Sequence, residues 1–163
     1  LFSSAEFESE VLEGGDHLHT SVRILLVDDF TPWRQSVSSI LLAKPELQVV
    51  GEASDGPEAV EKAVELKPDL ILLDIGLPTL NGIEAARQIR KVAPESKIIF
   101  LSQESSPEII EEAMNLGASG YVIKSRAGSD LLTTLESVLG TSGKQRQFRS
   151  LDGKTPEATI QAD

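Results

Sequence analysis

The sequence predicts an α/β fold, a parallel sheet wrapped by crossover helices, and three observations carry that prediction. Four short apolar runs, 22–27, 70–73, 97–101 and 121–123, are rich in Val, Ile and Leu and show no polar alternation. That composition marks strands buried on both faces. Amphipathic segments of helical period alternate with the runs, as strand–helix–strand crossovers require. Each run also stops at a polar residue: Asp28-Asp29, Asp74, Ser102 and Lys124 in turn. Ligands of open α/β sheets sit beyond the carboxyl ends of the strands.

The elements follow in order. The first helix is expected from about Pro32 to Ala43, with Thr31 capping and Pro32 at its first position. Trp33, Val37, Ile40 and Leu41 fall on its apolar face. A second strand is expected near Gln48–Ala53, then a helix near Pro57–Leu66 that buries Ala59, Val60, Ala63 and Val64. The third helix, near Gly82–Val92, buries Ile83, Ala86 and Ile89. The fourth follows Ser106-Pro107, buries Ile110, Ala113 and Met114, and ends at Gly117. The fifth, near Ser129–Leu139, buries Leu131, Leu132, Leu135 and Val138 and stops at Gly140. Pro45, Pro68 and Pro94 each turn a helix into an extended run. Right-handed crossovers leave few topologies for such a pattern.

The 163 residues are expected to form one domain with tails: an acidic, flexible extension over 1–20, the ordered body over 21–140, and a flexible tail over 141–163. No helix-turn-helix pattern fits that tail. No run approaches the roughly 20 apolar residues of a membrane span, and no secretory signal is expected at the amino end. With no cysteine, disulfides and thiolate metal sites drop out. A net charge of −11 argues against a general grip on nucleic acid, although Glu6, Glu8, Glu10, Glu13 and Asp16 place part of it in the extension.

The polar residues at the run ends define a chemistry. Asp28 and Asp29 alone read equally well as an exposed acidic turn. With Asp74 on a neighbouring strand end they offer the hard oxygen set that magnesium takes, leaving room for waters and phosphate oxygens. A carboxylate also attacks phosphorus to give an aspartyl phosphate, and a metal with one lysine offsets the like charges that meet in that attack. Lys124 is placed as the point charge for phosphate and Ser102 as a hydroxyl donor.

The motifs Leu-Val-Asp28-Asp29, Leu-Leu-Asp74-Ile-Gly-Leu-Pro78, Asn81-Gly82, Phe-Leu-Ser102 and Gly-Ala-Ser-Gly-Tyr121-Val-Ile-Lys124 resemble the receiver domain of bacterial two-component response regulators. The resemblance runs from Arg23 to Gly140 and is to CheY-like receivers of the NarL/FixJ type. It implies a doubly wound, flavodoxin-like fold: a five-stranded parallel sheet of order 2-1-3-4-5 flanked by five helices. It implies that Asp74 is the phosphoacceptor and takes a phosphoryl group from a histidine kinase or phosphotransfer protein. Asp29 matches a direct Mg2+ ligand, Asp28 one acting partly through water, Asp74 a further ligand, and Gly76 one through its backbone carbonyl. Ser102 matches the switch hydroxyl, Lys124 the phosphate-pairing lysine, and Tyr121 the aromatic that turns inward on activation. Pro78 and Gly82 match positions that shape the loop after the acceptor. The face made by the fourth helix, fifth strand and fifth helix is where such domains meet a protein partner or a second copy.

Two departures stand out. Lys124 is followed by Ser125 where many receivers have proline, so no cis peptide is expected. Gln103 replaces the commoner alanine, and together with Gly76 it is expected to tune the dephosphorylation rate. Trp33 reads mainly as core, and His17 and His19 carry no assigned role. The basic cluster Gln145–Arg149 is too short to argue for nucleic acid. The resulting expectation is a cytoplasmic, phosphorylation-controlled switch rather than a turnover enzyme, without direct nucleic-acid or membrane binding. The alternatives are the receiver part of a transcription factor, a phosphorelay intermediate, a metal-dependent phosphohydrolase, or a receiver-like domain used only for docking.

Overall fold

In the computed structural model, which describes the backbone of residues 21–149 and the side chains of 21–140, the apolar runs are strands of one sheet. The expected extension 1–20, with His17 and His19, and residues 150–163 lie outside the described residues. The strands are β1 (Val22–Val27), β2 (Leu47–Ala53), β3 (Leu70–Leu73), β4 (Lys97–Ser102) and β5 (Gly120–Ile123). They are parallel and ordered β2-β1-β3-β4-β5, as the resemblance implies. The helices are α1 (Thr31–Leu41), α2 (Gly56–Leu66), α3 (Gly82–Val92), α4 (Pro107–Asn115) and α5 (Ala127–Arg149). A 3-10 turn over Lys124–Arg126 joins β5 to α5.

Strand alternation divides the core in two. Leu25, Val27, Ile71, Leu73, Ile98 and Phe100 face Ala59, Ala63, Ile83, Ala86, Ile89 and Ala113 of α2, α3 and α4. Ile24, Leu26, Leu70, Leu72, Ile99, Leu101 and Val122 face Val37 and Leu41 of α1 and Leu131 and Leu135 of α5. All four residues of β3 are completely buried, which is why that run shows no polar alternation. Val27, Leu73 and Phe100 are paired across three strands, so β1 and β3 end at one level and deliver Asp28 and Asp74 side by side.

Several local expectations are corrected. The N-cap of α1 is Phe30, not Thr31, and no side chain caps it. The Thr31 hydroxyl instead accepts a hydrogen bond from Arg34 Nη2 at 3.1 Å, while Asp55 and Asn81 do cap α2 and α3, accepting from the amides of Glu58 and Glu84. Val64 and Met114 are exposed rather than buried: the fully buried positions of α2 and α4 are taken by small residues, Ala59, Ala63 and Ala113, with Val60 and Ile109 packed at their edge. α5 does not stop at Gly140 but runs on to Arg149. The left-handed glycine of the described residues is Gly117, not Gly140, and a glycine inside a helix costs only about 1 kcal/mol.

The loop after β3 is held at close quarters. A Cβ on Gly82 would lie 1.9 Å from the carbonyl oxygen of Asp74, and one on Gly56 would lie 2.3 Å from that of Leu80. Thr79, between them, has φ 68°, a left-handed conformation that strains a β-branched residue. Gly82→Ala is therefore expected to lower unfolding stability by about 1–3 kcal/mol or more. Gly76→Ala, where a Cβ meets nothing within 4 Å, should stay within about 0.5 kcal/mol of wild type. Chemical denaturation of the two variants side by side checks the contrast.

Candidate metal and phosphoryl site

The carboxyl ends of β1, β3, β4 and β5 surround a cavity of about 330 Å3, lined in part by Asp28, Asp29, Asp74, Gly76, Ser102 and Lys124. The structure thus brings together the residues singled out at the strand ends. Alternation explains the convergence. Asp28 follows Val27, Asp74 follows Leu73, and both preceding residues face α2–α4, so the two carboxylates turn toward the α1 side. One oxygen from each of Asp28, Asp29 and Asp74 lies within 4.8 Å of the others. Asp28 and Asp74 are buried, and Asp29 is exposed at the mouth.

One ammonium serves the buried pair. Lys124 Nζ lies 2.5 Å from Asp28 Oδ2 and 3.2 Å from Asp74 Oδ2, with only 11% of its side chain exposed. Asp28 Oδ1 accepts from the Phe30 amide at 2.9 Å, and Asp74 Oδ1 takes a long 3.4 Å contact from the Gly76 amide. Asp28 Oδ2 is buried, with the Lys124 ammonium as its partner. Burial, aided by the Asp74 charge, pushes the Asp28 carboxyl above its ordinary 3.8, although Lys124 and the Phe30 amide pull the other way. Three carboxylates against one ammonium, all oxygen donors, fit a hard divalent cation such as Mg2+.

The opposite wall is built by β4 and β5. Ser102 is buried, and its Oγ accepts from the Glu104 amide at 3.2 Å. Tyr121 packs beside Phe100, with ring centroids 6.1 Å apart, and its hydroxyl donates to the Glu104 carbonyl at 2.6 Å. Burial raises the Tyr121 phenol above its usual 10.0. Tyr121 is therefore tied to the β4–α4 loop next to Ser102. Gln103 is exposed and lines the cavity, as does Glu104, which sequence reasoning passed over. The signal for Glu104 was available: it stands two residues beyond Ser102, just as Gly76 stands two beyond Asp74. Phe30 and Trp33 complete the lining. Trp33 is partly buried against the α1–α5 core, as expected, but its ring also reaches the site. Arg34 braces this side by donating from Nη1 to the Asp28 carbonyl at 2.5 Å.

Comparison with known proteins identifies the arrangement. Residues 24–136 match the model of the response regulator receiver domain, and the chain belongs to that family. It is 42% identical over 136 residues to the protein-glutamate methylesterase/protein-glutamine glutaminase of Thermotoga maritima, covering 82% of this chain and 39% of that protein. It is 36% identical over 110 residues to the response regulator protein VraR of Staphylococcus saprophyticus, covering 68% of this chain and 53% of that protein. The crystal structure of the response regulator domain of Thermotoga maritima CheB superposes with a TM-score of 0.61 at 40% identity, over 80% of this chain and 98% of that one. The chain thus spans about two fifths to one half of the curated relatives' own length. Among the described residues, no helix is long and apolar enough to cross a membrane.

The raised Asp28 carboxyl fixes the sign of a pH effect. A folded-state value above the unfolded one favours folding below 3.8 and loses that contribution as pH rises through the folded value. Asp28→Asn, which removes the buried charge, should therefore be more stable than wild type at pH 7 without divalent cations. The gap should narrow toward pH 4, and added Mg2+ should favour wild type. Thermal unfolding of both proteins at the two pH values, with and without Mg2+, checks all three.

Proposed function

We propose that the chain is a phosphorylation-controlled switch in which Asp74 accepts a phosphoryl group from a histidine kinase or phosphotransfer protein. The observation that carries the reading is the buried Asp74 carboxylate, facing the cavity with Lys124 Nζ 3.2 Å away and Asp28 and Asp29 beside it. An Asp74 oxygen forms the new bond to phosphorus as the bond to the donor's leaving atom breaks. Lys124 and Ser102 then neutralise and hydrogen-bond the phosphoryl oxygens. Asp29, Asp74 and the Gly76 carbonyl, with Asp28 beside them, would hold Mg2+, which when bound would supply further positive charge where the anionic groups meet.

The switch follows from the same contacts. Ser102 drawn toward a phosphoryl group carries the 102–104 segment with it, and Tyr121, hydrogen-bonded to Glu104, is coupled to that movement. A few kcal/mol of bias suffices to shift a two-state surface. The affected face, made by α4, β5 and α5, meets a downstream protein or a second copy of the chain. This reading assigns a cytoplasmic location and a switching rather than turnover role. A second reading, the receiver portion of a longer regulator, is supported by the length of the relatives; a phosphorelay intermediate uses the same chemistry.

Incubation with Mg2+ and acetyl phosphate should add one phosphoryl group by intact mass to wild type and none to Asp74→Ala. Lys124→Ala should slow the uptake at least tenfold, about the 1.4 kcal/mol of one charge-assisted contact. No uptake by wild type would leave a docking-only domain. Gln103 and Gly76 flank the phosphoryl position and are proposed to set its lifetime. Gln103→Ala should change the decay rate of the phosphorylated protein measurably in a phosphate-release assay, and an unchanged rate would remove Gln103 from that role.

A further inference from the structure

The chain contains a single tryptophan, and the fold places it against the site. The Lys124 ammonium lies over the Trp33 ring, 5.3 Å from its centroid, within the range at which a ring face attracts a cation. The contact is stronger than at an open surface because the Lys124 side chain is largely withdrawn from water. The ring is held from behind, since Trp33 also packs on the core between α1 and α5. Parity accounts for the meeting: Lys124 lies two residues beyond Val122, which faces the α1 side.

The other partners of Lys124 are Asp28 and Asp74. Both belong to the carboxylate cluster suited to a divalent cation. Charge that these carboxylates give to a cation is withdrawn from Lys124, and the cation itself repels the ammonium. An uncharged ring is not subject to that competition. We infer that Trp33 is a positioning residue: its π face keeps the Lys124 ammonium over the acceptor pocket when Asp28 is engaged elsewhere. Its role in phosphoryl acceptance rests on the receiver reading above; the ring–ammonium contact itself does not.

Because Trp33 is the only tryptophan, biosynthetic replacement by mono-, di- and trifluorotryptophan alters this one ring, draining its negative face with little change of shape. Two readouts are taken. The first is the proton shift of the Lys124 ε-methylene in isotope-labelled protein, with and without Mg2+. The second is the rate of phosphoryl uptake as a function of acetyl phosphate concentration. The ε-methylene should be ring-shifted upfield in wild type in both conditions and unshifted in Trp33→Leu. The maximal uptake rate should fall stepwise along the fluorinated series, by about three- to tenfold at its end, with the half-saturating donor concentration unchanged. An unshifted ε-methylene in Mg2+-loaded wild type, or a flat rate across the series, overturns the inference. If wild type takes up no phosphoryl group, the receiver reading falls, and the ε-methylene shift alone decides the contact.

Discussion

Two carboxylates buried side by side, sharing one ammonium, constrain everything else in this molecule. Asp28 and Asp74 are brought together because β1 and β3 are paired neighbours that end at the same level. A charge removed from water is tolerated only when it is paired and hydrogen-bonded, and here the pairing is incomplete. Lys124 must serve both carboxylates, and Asp29 adds a third carboxylate beside them. The resulting excess of negative charge is unfavourable in isolation and is of the kind a cation offsets.

The surroundings keep that arrangement from relaxing. Gly82 lets α3 begin directly against the Asp74 carbonyl, and Gly56 lets α2 begin against Leu80. The segment between carries a strained Thr79, a small local cost of about 1–3 kcal/mol in holding the loop after Asp74. Arg34 fixes the other rim through the Asp28 carbonyl. Beneath the rim, β3 is buried on both faces, so its end has little freedom to shift. Side chains link the site to its surroundings: the Lys124 ammonium has two carboxylates and a ring within reach, and Ser102 and Tyr121 are joined through Glu104.

The strands and the site were legible in the sequence for one reason. Short runs of Val, Ile and Leu without polar alternation read as strands, and a polar residue that ends such a run is placed at the sheet rim. Asp28, Asp74, Ser102 and Lys124 were found that way. β3 is indeed buried on both faces, whereas the edge strand β5 alternates buried and partly exposed residues. The family resemblance supplied the strand order, which periodicity alone leaves open. What sequence reasoning missed depends on side-chain reach and helix depth. Trp33 lies on the apolar face of α1, and nothing in its spacing tells that the ring extends past the core to Lys124. Val64 and Met114 were assigned to the interior by period, yet alanines carry those helix faces and leave the larger residues outside. Thr31 followed the capping preference, but the Phe30 amide already had an acceptor in Asp28 Oδ1. Gly140 resembled a terminator and is not one, because a glycine ends a helix only where it adopts a left-handed conformation.

The most direct measurement is a crystal structure of the chain grown with Mg2+ and beryllofluoride, a stable mimic of a phosphoryl group. The account predicts one metal ion ligated by Asp29, Asp74 and the Gly76 carbonyl, with beryllofluoride on Asp74 contacted by Ser102 and Lys124. An ion bound away from these carboxylates, or an Asp74 that remains free at saturating beryllofluoride, would contradict it.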